Sequence, residues 1–262
     1  MQHNLSAEAI LTHLNPDCSL NRLQIFDVID STNTAAKRMA AEGAAHGTVV
    51  IAEHQTAGRG RLGRSFHSPD AKGIYLSVVL RLGCDIATAA LTTPAAAVGV
   101  ARAINRATGL EPQIKWVNDV YLSGRKVCGI LTEASMEVSG GVPAFLILGI
   151  GINVEQAVFP EELRPIVTAI SEHTDAPLDR NELIAALLNE LDILLSSLSS
   201  REFMEEYRFR SLLIGKEINV LRPNQTIPAT AESINDDGHL IVRLEDGTLL
   251  TLSSGEVSVR LK

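Results

Sequence analysis

The chain has 262 residues, 45% of them apolar, and a formal net charge of -8. That apolar share provides a sizeable core and excludes global disorder, while the acidic balance argues against broad contact with nucleic acid, whose affinity rests on phosphate neutralisation. Cys18, Cys84 and Cys128 are odd in number and far apart, which fits neither a disulfide framework nor a zinc site and suits a reducing cytoplasm; the start of the chain lacks the basic-then-apolar form of a signal peptide, and no run of about 18 apolar residues marks a membrane span.

Taken in order, LSAEAILTHL (5–14) reads as a short amphipathic helix capped by Ser6. NRLQIFDVI (21–29) is a strand, and DSTNTAAKRMAAEG (30–43) a helix that opens on hydroxyls and an amide and stops at Gly43. The β-branched run GTVVIAEH (47–54) predicts a buried strand, and GIYLSVVLRL (73–82) alternates as another. TAALTTPAAAVGVARAINRATG (88–109) predicts one alanine-rich helix, with Pro94 near its first turns and Gly109 at its end. PQIKW (112–116) is a short strand, DVYLSGRKVCGILTEAS (119–135) a hairpin around Ser123-Gly124, and AFLILGIGINV (144–154) a buried strand. DRNELIAALLNELDILLSSL (179–198) is the clearest amphipathic helix.

Beyond Leu212 come short alternating strands, broken by turn signals at Pro223-Asn224, Asp236-Asp237-Gly238 and Glu245-Asp246-Gly247. This spacing predicts a small barrel of about five strands. A boundary near 211–214 divides the chain into residues 1–211 and 212–262. Adjacent strands joined by hairpins predict an α+β fold, with a mixed or antiparallel sheet backed by helices, over a doubly wound parallel sheet.

The stretch TAGRGRLGRSFHSP (56–69) leaves the end of the 47–54 strand with three arginines and three glycines between Gly58 and Arg64. Three readings compete. As a solvated surface loop it has no reason to alternate arginine with glycine, which costs about 0.5–1 kcal/mol against alanine in ordered structure. As a minor-groove hook, RGR would suit narrow A·T-rich DNA, but such arms sit in basic or disordered regions. As an anion cradle, its glycines let backbone N–H groups approach and its arginines supply forks for carboxylate or phosphate. Without ligand, repulsion among Arg59, Arg61 and Arg64 should keep the loop mobile, which predicts a lid that folds over a polyanion. No GxxxxGK[ST] motif is present, so P-loop chemistry is not indicated.

Other polar residues accompany it. Ser31, Thr32 and Asn33 stand at a strand-to-helix junction, where one caps the helix and the surplus could bind a neutral polar ligand head. Lys115, Asn118 and Asp119 precede the 119–135 hairpin, and Lys126 lies on its return strand, either facing solvent or serving a site. Gly129 beside it suggests a backbone passing close to a ligand, and the glycines of GIGIN (149–153), before Asn153, repeat the signal.

Together DSTNTAA, EHQTAGRGRLGRSFHSP, KWVNDVYLSGRKVCGILTE, GIGINV and the tail SSGEVSVR resemble, in order and over roughly residues 25–260, the biotin–protein ligases. The resemblance implies a class II synthetase-like catalytic domain with an SH3-like C-terminal barrel. It implies attachment of biotin to one lysine of a biotin carboxyl carrier protein, through biotinyl-5′-AMP made from biotin and Mg2+-ATP. It assigns Ser31, Thr32, Asn33 and Gln55, with backbone of Gly58 and Arg59, to the ureido end of biotin, Gly60 to the biotin site, and Gly129 and Ile130 to the pocket wall. Arg61 and Lys126 would flank the biotin carboxyl and the α-phosphate, and Asp119 would hold a metal ion or orient the incoming lysine. Arg64 would meet pyrophosphate. Phe66, Lys115, Asn118 and Asn153 fall to the nucleotide, as do Glu256 and Arg260 reaching back from the barrel. The metal ligands stay open.

Phe66 stands where tryptophan is usual in the family, and Val117 where proline is common, which should loosen that turn slightly. About 20 residues precede the first core strand, too few for the winged helix-turn-helix of some members, so a ligase without DNA binding is expected. Family members can dimerise by sheet edges, and a homodimer is compatible with this chain; no membrane partner is expected. Against a lipoate- or octanoate-protein ligase, the SGGG-type motif is absent and the polar trio at 31–33 suits a ureido ring. Against a biotin-binding module without catalysis stand Arg59, Arg61 and Lys126.

Overall fold

The computed structural model describes residues 5–135, 138–222, 225–253 and 258–261. Helix α1 (Ala7–His13) starts on Ser6, whose hydroxyl accepts from the Ala9 N–H. Strand β1 (Arg22–Ile29), helix α2 (Thr32–Ala41), strand β2 (Thr48–Gln55) and strand β3 (Gly73–Leu80) follow. The segment predicted as one helix is two: α3 (Ile86–Ala90) and α4 (Thr92–Thr108) meet at Leu91. Asp85 caps the first, its side chain accepting from Thr88 N–H. Pro94 lies in the first turn of the second, where a missing N–H removes no bond, and Gly109 ends it at φ 72°. The stretch Ile86–Thr108 is long and apolar enough to cross a membrane, but its most apolar part is mostly buried inside the fold.

Strands β4 (Gln113–Lys115), β5 (Asp119–Leu122) and β6 (Arg125–Ala134) come next, then the two-residue strands β7 (Val138–Ser139) and β8 (Val142–Pro143), and β9 (Leu146–Asn153). Ser123 and Gly124, both at positive φ, turn β5 into β6 as the hairpin reading requires. Helix α5 (Arg180–Ser196), capped by Asp179, and helix α6 (Phe203–Phe209) complete this part; α6 was not read in the sequence.

The central sheet runs β1-β2-β3-β9-β6-β5-β4. Only its β1–β2 pair is parallel, so the sheet is mixed, as predicted. Helices cover both faces. Val49 and Ile51 of β2 join the larger core with α4 and α5, whereas Val50, Val79 and Ile147 join Ala35, Ala36 and Ala40 of α2. Burial on two faces explains why β3, expected to alternate, is buried at every position.

Strands β10 (Glu217–Arg222), β11 (Gln225–Ile234), β12 (Leu240–Leu244), β13 (Leu249–Leu252) and β14 (Ser258–Leu261) form a separate antiparallel sheet in the order β13-β12-β11-β10-β14. Its β11–β12 turn docks on the larger part. Trp116 Nε1–H donates to Gly238 O at 2.9 Å, and Arg208 pairs with Asp236 at 2.8 Å.

Candidate active site

One pocket gathers most of the residues singled out above. It lies between the start of α2, the 56–69 loop and the inner strands β6 and β9. Ser31, Thr32, Asn33, Gln55, Arg59, Gly60, Arg61, Phe66, Asn118, Lys126, Gly129 and Ile130 line it, with Leu131, Gly149, Ile150 and Gly151.

At one end is a polar network. Thr32 donates from its N–H (2.8 Å) and hydroxyl (3.1 Å) to Gln55 Oε1, and Gln55 Nε2–H donates to Ser68 Oγ at 2.9 Å. Ser77 Oγ lies 2.6 Å from Asn33 Oδ1 and 2.8 Å from Thr32 Oγ1. The contacts of the Thr32 and Ser77 hydroxyls number three, and the two groups carry two protons between them. The cluster is therefore rich in acceptors, and a ligand bringing N–H donors complements it. Ser31, the N-cap residue of α2, makes no side-chain cap bond, so its hydroxyl is not committed to the helix end. Gly149 is required beneath the network, because a Cβ there would collide with Asn33 Oδ1 and sit 2.8 Å from its Cγ.

The other end carries charge. Arg61 Nη1–H donates to Asn118 Oδ1 at 3.0 Å, Asn118 Nδ2–H donates to Ile130 O at 2.8 Å, and Lys126 Nζ pairs with Asp119 at 2.6 Å. Burial pulls the Arg61 pKa down and Asp119 opposes it, leaving the guanidinium below its ordinary value. Burial pushes the Tyr207 phenol well up, with Asp119 adding to the effect; its O–H donates to Val117 O at 2.9 Å. That bond and the Trp116–Gly238 bond brace the turn expected to be loosened by Val117. Two cations and a carboxylate beside an acceptor-rich recess can bring two anions together and screen their repulsion.

The chain belongs to the biotin protein ligase family. The biotin/lipoate A/B protein ligase family matches residues 25–153, and the biotin protein ligase C-terminal domain matches 213–260. The chain is 36% identical over 245 residues to the Mycobacterium tuberculosis biotin--[acetyl-CoA-carboxylase] ligase, covering 90% of this chain and 88% of that one. It is 35% identical over 253 residues to the bifunctional ligase/repressor BirA of Bacillus spizizenii, covering 93% of this chain and 76% of that one. A biotin protein ligase from Aquifex aeolicus, solved in complex with biotin and ATP, superposes with a TM-score of 0.77 at 29% identity, covering 92% of this chain and 99% of that one. The protein is thus a ligase.

In this biotin protein ligase two of the loop's arginines, expected to repel one another, have partners of their own: Arg59 pairs with Glu133 at 3.1 Å and Arg61 donates to Asn118. Gly60 N–H donates to Arg64 O at 2.7 Å and Phe66 N–H to Gly58 O at 2.9 Å, so the loop is a short hairpin held by its own backbone bonds. A Cβ at Gly58 would collide with Phe66 O. The close approach inferred at Gly129 is made by neighbouring side chains: a Cβ there would stand 3.1 Å from Lys126 Nζ and 3.2 Å from the Phe66 ring, and one at Gly151 would stand 2.5 Å from that ring. Phe66 therefore packs into the same pocket as the 31–33 trio, edge-on to Tyr75 with centroids 6.4 Å apart.

Other candidates lie outside the pocket lining. Arg64 is exposed on the loop. Lys115 places Nζ 5.6 Å over the Tyr121 ring. Asn153 Nδ2–H donates to Thr168 O at 3.0 Å, and backbone bonds tie Lys126 to Ile166 and Thr168, so the 155–171 segment is fastened along the Lys126 edge. Glu256 lies outside the described residues; Arg260 pairs through its backbone with Asn219, and its side chain is outside them as well. Sequence reasoning missed Ser77, a single hydroxyl in an apolar strand, and Glu133, a charge at a strand end. Neither has a local signal, because both act through partners more than 40 residues away. Among the described residues no group of three His, Cys, Asp or Glu could hold a metal ion.

Proposed function

We propose that this ligase joins biotin to a lysine of a biotin carboxyl carrier protein in two steps. A biotin carboxylate oxygen attacks the α-phosphorus of Mg2+-ATP, the bond to the β-phosphate bridging oxygen breaks, and pyrophosphate leaves. The ε-amine of the carrier lysine then attacks the acyl carbon of biotinyl-5′-AMP, the acyl–O bond to AMP breaks, and the amine gives up a proton as the amide forms.

The observation that carries this reading is the polarity of one pocket, with hydrogen-bond acceptors at one end and Arg61 and Lys126 at the other, Lys126 paired with Asp119 outside the lining. A ureido ring offers two N–H donors to Thr32, Asn33 and Gln55, which places its carboxylate arm toward the cations. An aliphatic dithiolane brings no N–H donor to this acceptor-rich cluster. Arg61 and Lys126 screen the carboxylate and the α-phosphate from one another. Asp119, already beside Lys126, orients the incoming amine, and Mg2+ enters on the ATP phosphates. Arg64, exposed on the loop, is positioned for departing pyrophosphate.

We assign the chemistry to residues 1–211 and a supporting unit to 212–262. The partner is a carrier domain and not duplex DNA, a reading the net charge of -8 supports, and the compartment is the cytoplasm, in keeping with three free cysteines. Purified protein with Mg2+-ATP, labelled biotin and a carrier domain should label one carrier lysine. Transfer of lipoate with no transfer of biotin would overturn the reading.

A further inference from the structure

Glu133 stands at the end of β6, and no role in the reaction described above requires a carboxylate there. Its side chain is only 19% exposed, and it is fully engaged. Arg59 presents both ends of its fork, Nη1 to Oε2 and Nη2 to Oε1, each at 3.1 Å. Asn33 Nδ2–H donates to the same Oε2 at 2.9 Å. One carboxylate therefore joins the arginine loop to the residue at the centre of the acceptor network. The loop between Gly58 and Arg64 carries three cations and no acidic residue, so its closed form needs a countercharge from elsewhere. A bidentate carboxylate also fixes direction, because both oxygens must be met in one plane.

We propose that Glu133 is a positioning residue for biotin recognition: it latches Arg59, and so holds the loop over the pocket, while orienting the Asn33 amide. The proposal deepens the biotin reading and rests on it for its ligand. A loop held by this latch walls the pocket on one side and costs biotin less affinity in ordering it.

Glu133→Gln keeps the shape and an acceptor for Asn33 but removes the charge that holds the guanidinium. In the free protein, hydrogen exchange at the Gly60 and Phe66 amides, which close the loop hairpin, should speed up about tenfold. In carrier labelling, KM for biotin should rise about five- to tenfold while kcat at saturating biotin falls by much less. A purely structural defect would lower the active fraction at unchanged KM. Arg59→Ala and the double variant complete a cycle: once Arg59 is gone, Glu133→Gln should weaken biotin binding by no more than about twofold. Unchanged exchange at Gly60 and Phe66, or single effects that multiply in the double variant, would overturn the latch. Failure of the unsubstituted protein to transfer biotin would refute the ligase reading instead, and the exchange measurement on free protein would still decide the latch.

Discussion

Gly149→Ala isolates the acceptor network from the rest of the pocket. Gly149 sits in β9 opposite Ser77 of β3 and Leu131 of β6. Asn33 descends onto it, with Ser77 within 2.6 Å of its Oδ1 and Glu133 accepting from its Nδ2 at 2.9 Å. A methyl group at Gly149 would meet Asn33 Oδ1 head-on and stand 3.0 Å from Nδ2. The strand cannot retreat, because it is paired on both sides, so Asn33 must rise. Rising breaks one neutral and one charge-assisted hydrogen bond, together about 2–4 kcal/mol. About half of that should appear as lost stability and the remainder as lost ligand affinity, since the displaced amide also enters the recess. Calorimetric titration should show biotin binding weakened by about five- to thirtyfold, corresponding to about 1–2 kcal/mol, with the melting temperature lowered by several degrees. Biotin affinity within twofold of the unsubstituted protein would refute the assignment of this network to the ligand head.

Three further outcomes follow from the same geometry. Lys126→Ala should slow pyrophosphate release in the first step by about two to three orders of magnitude and weaken biotin binding far less; an unaltered adenylation rate removes Lys126 from the chemistry. Gly151→Ala should be milder than Gly149→Ala, because its methyl group meets the swinging end of Phe66, and Phe66→Ala should restore stability to the Gly151→Ala protein in thermal melts; no restoration means that the clash lies elsewhere. At Glu206, burial raises the carboxyl pKa, but hydrogen bonds from Arg102 and Arg210 outweigh it and hold it below the ordinary value. A depressed carboxyl pKa stabilises the fold above the unfolded value, about 4.3, and that contribution is lost as pH falls through the folded one. Glu206→Gln should thus lower urea stability by about 1–3 kcal/mol at pH 7 and by much less at pH 3; an equal loss at both pH values would show that packing, not charge, is at work.

Much of the site was legible because its residues cluster along the chain. Ser31, Thr32 and Asn33 are adjacent, and the arginines and glycines of 58–64 announce a loop that a simple surface turn does not need. Lys126 and Gly129 stood out as exceptions within an apolar strand. Ser77 and Glu133 were illegible for the converse reason: a lone hydroxyl or a strand-end carboxylate is ordinary until the fold brings a partner to it. The break at Leu91 was hidden in the same way, since alanine-rich sequence continues across it and only Pro94, in the first turn of α4, hints at a new start. Phe66 shows a third kind of gap, in which the resemblance assigned it to the nucleotide but the two glycines facing it, Gly129 and Gly151, were needed to place the ring.

By itself, the sequence determined the strands and most helices, the mixed sheet, the small antiparallel sheet after Leu212 and the motifs that carry the family resemblance. Periodicity, caps and turn residues act over a few positions, and such signals survive without any fold. The tertiary structure decided which groups share an atom. It set Ser77 between Thr32 and Asn33, closed the arginine loop on Glu133 in place of leaving its charges to repel, and turned the glycines of β6 and β9 toward Phe66, Lys126 and Asn33. Hydrogen bonds and ion pairs act over about 3 Å, and only the pairing of β3, β9 and β6 brings residues so distant in the chain within that range.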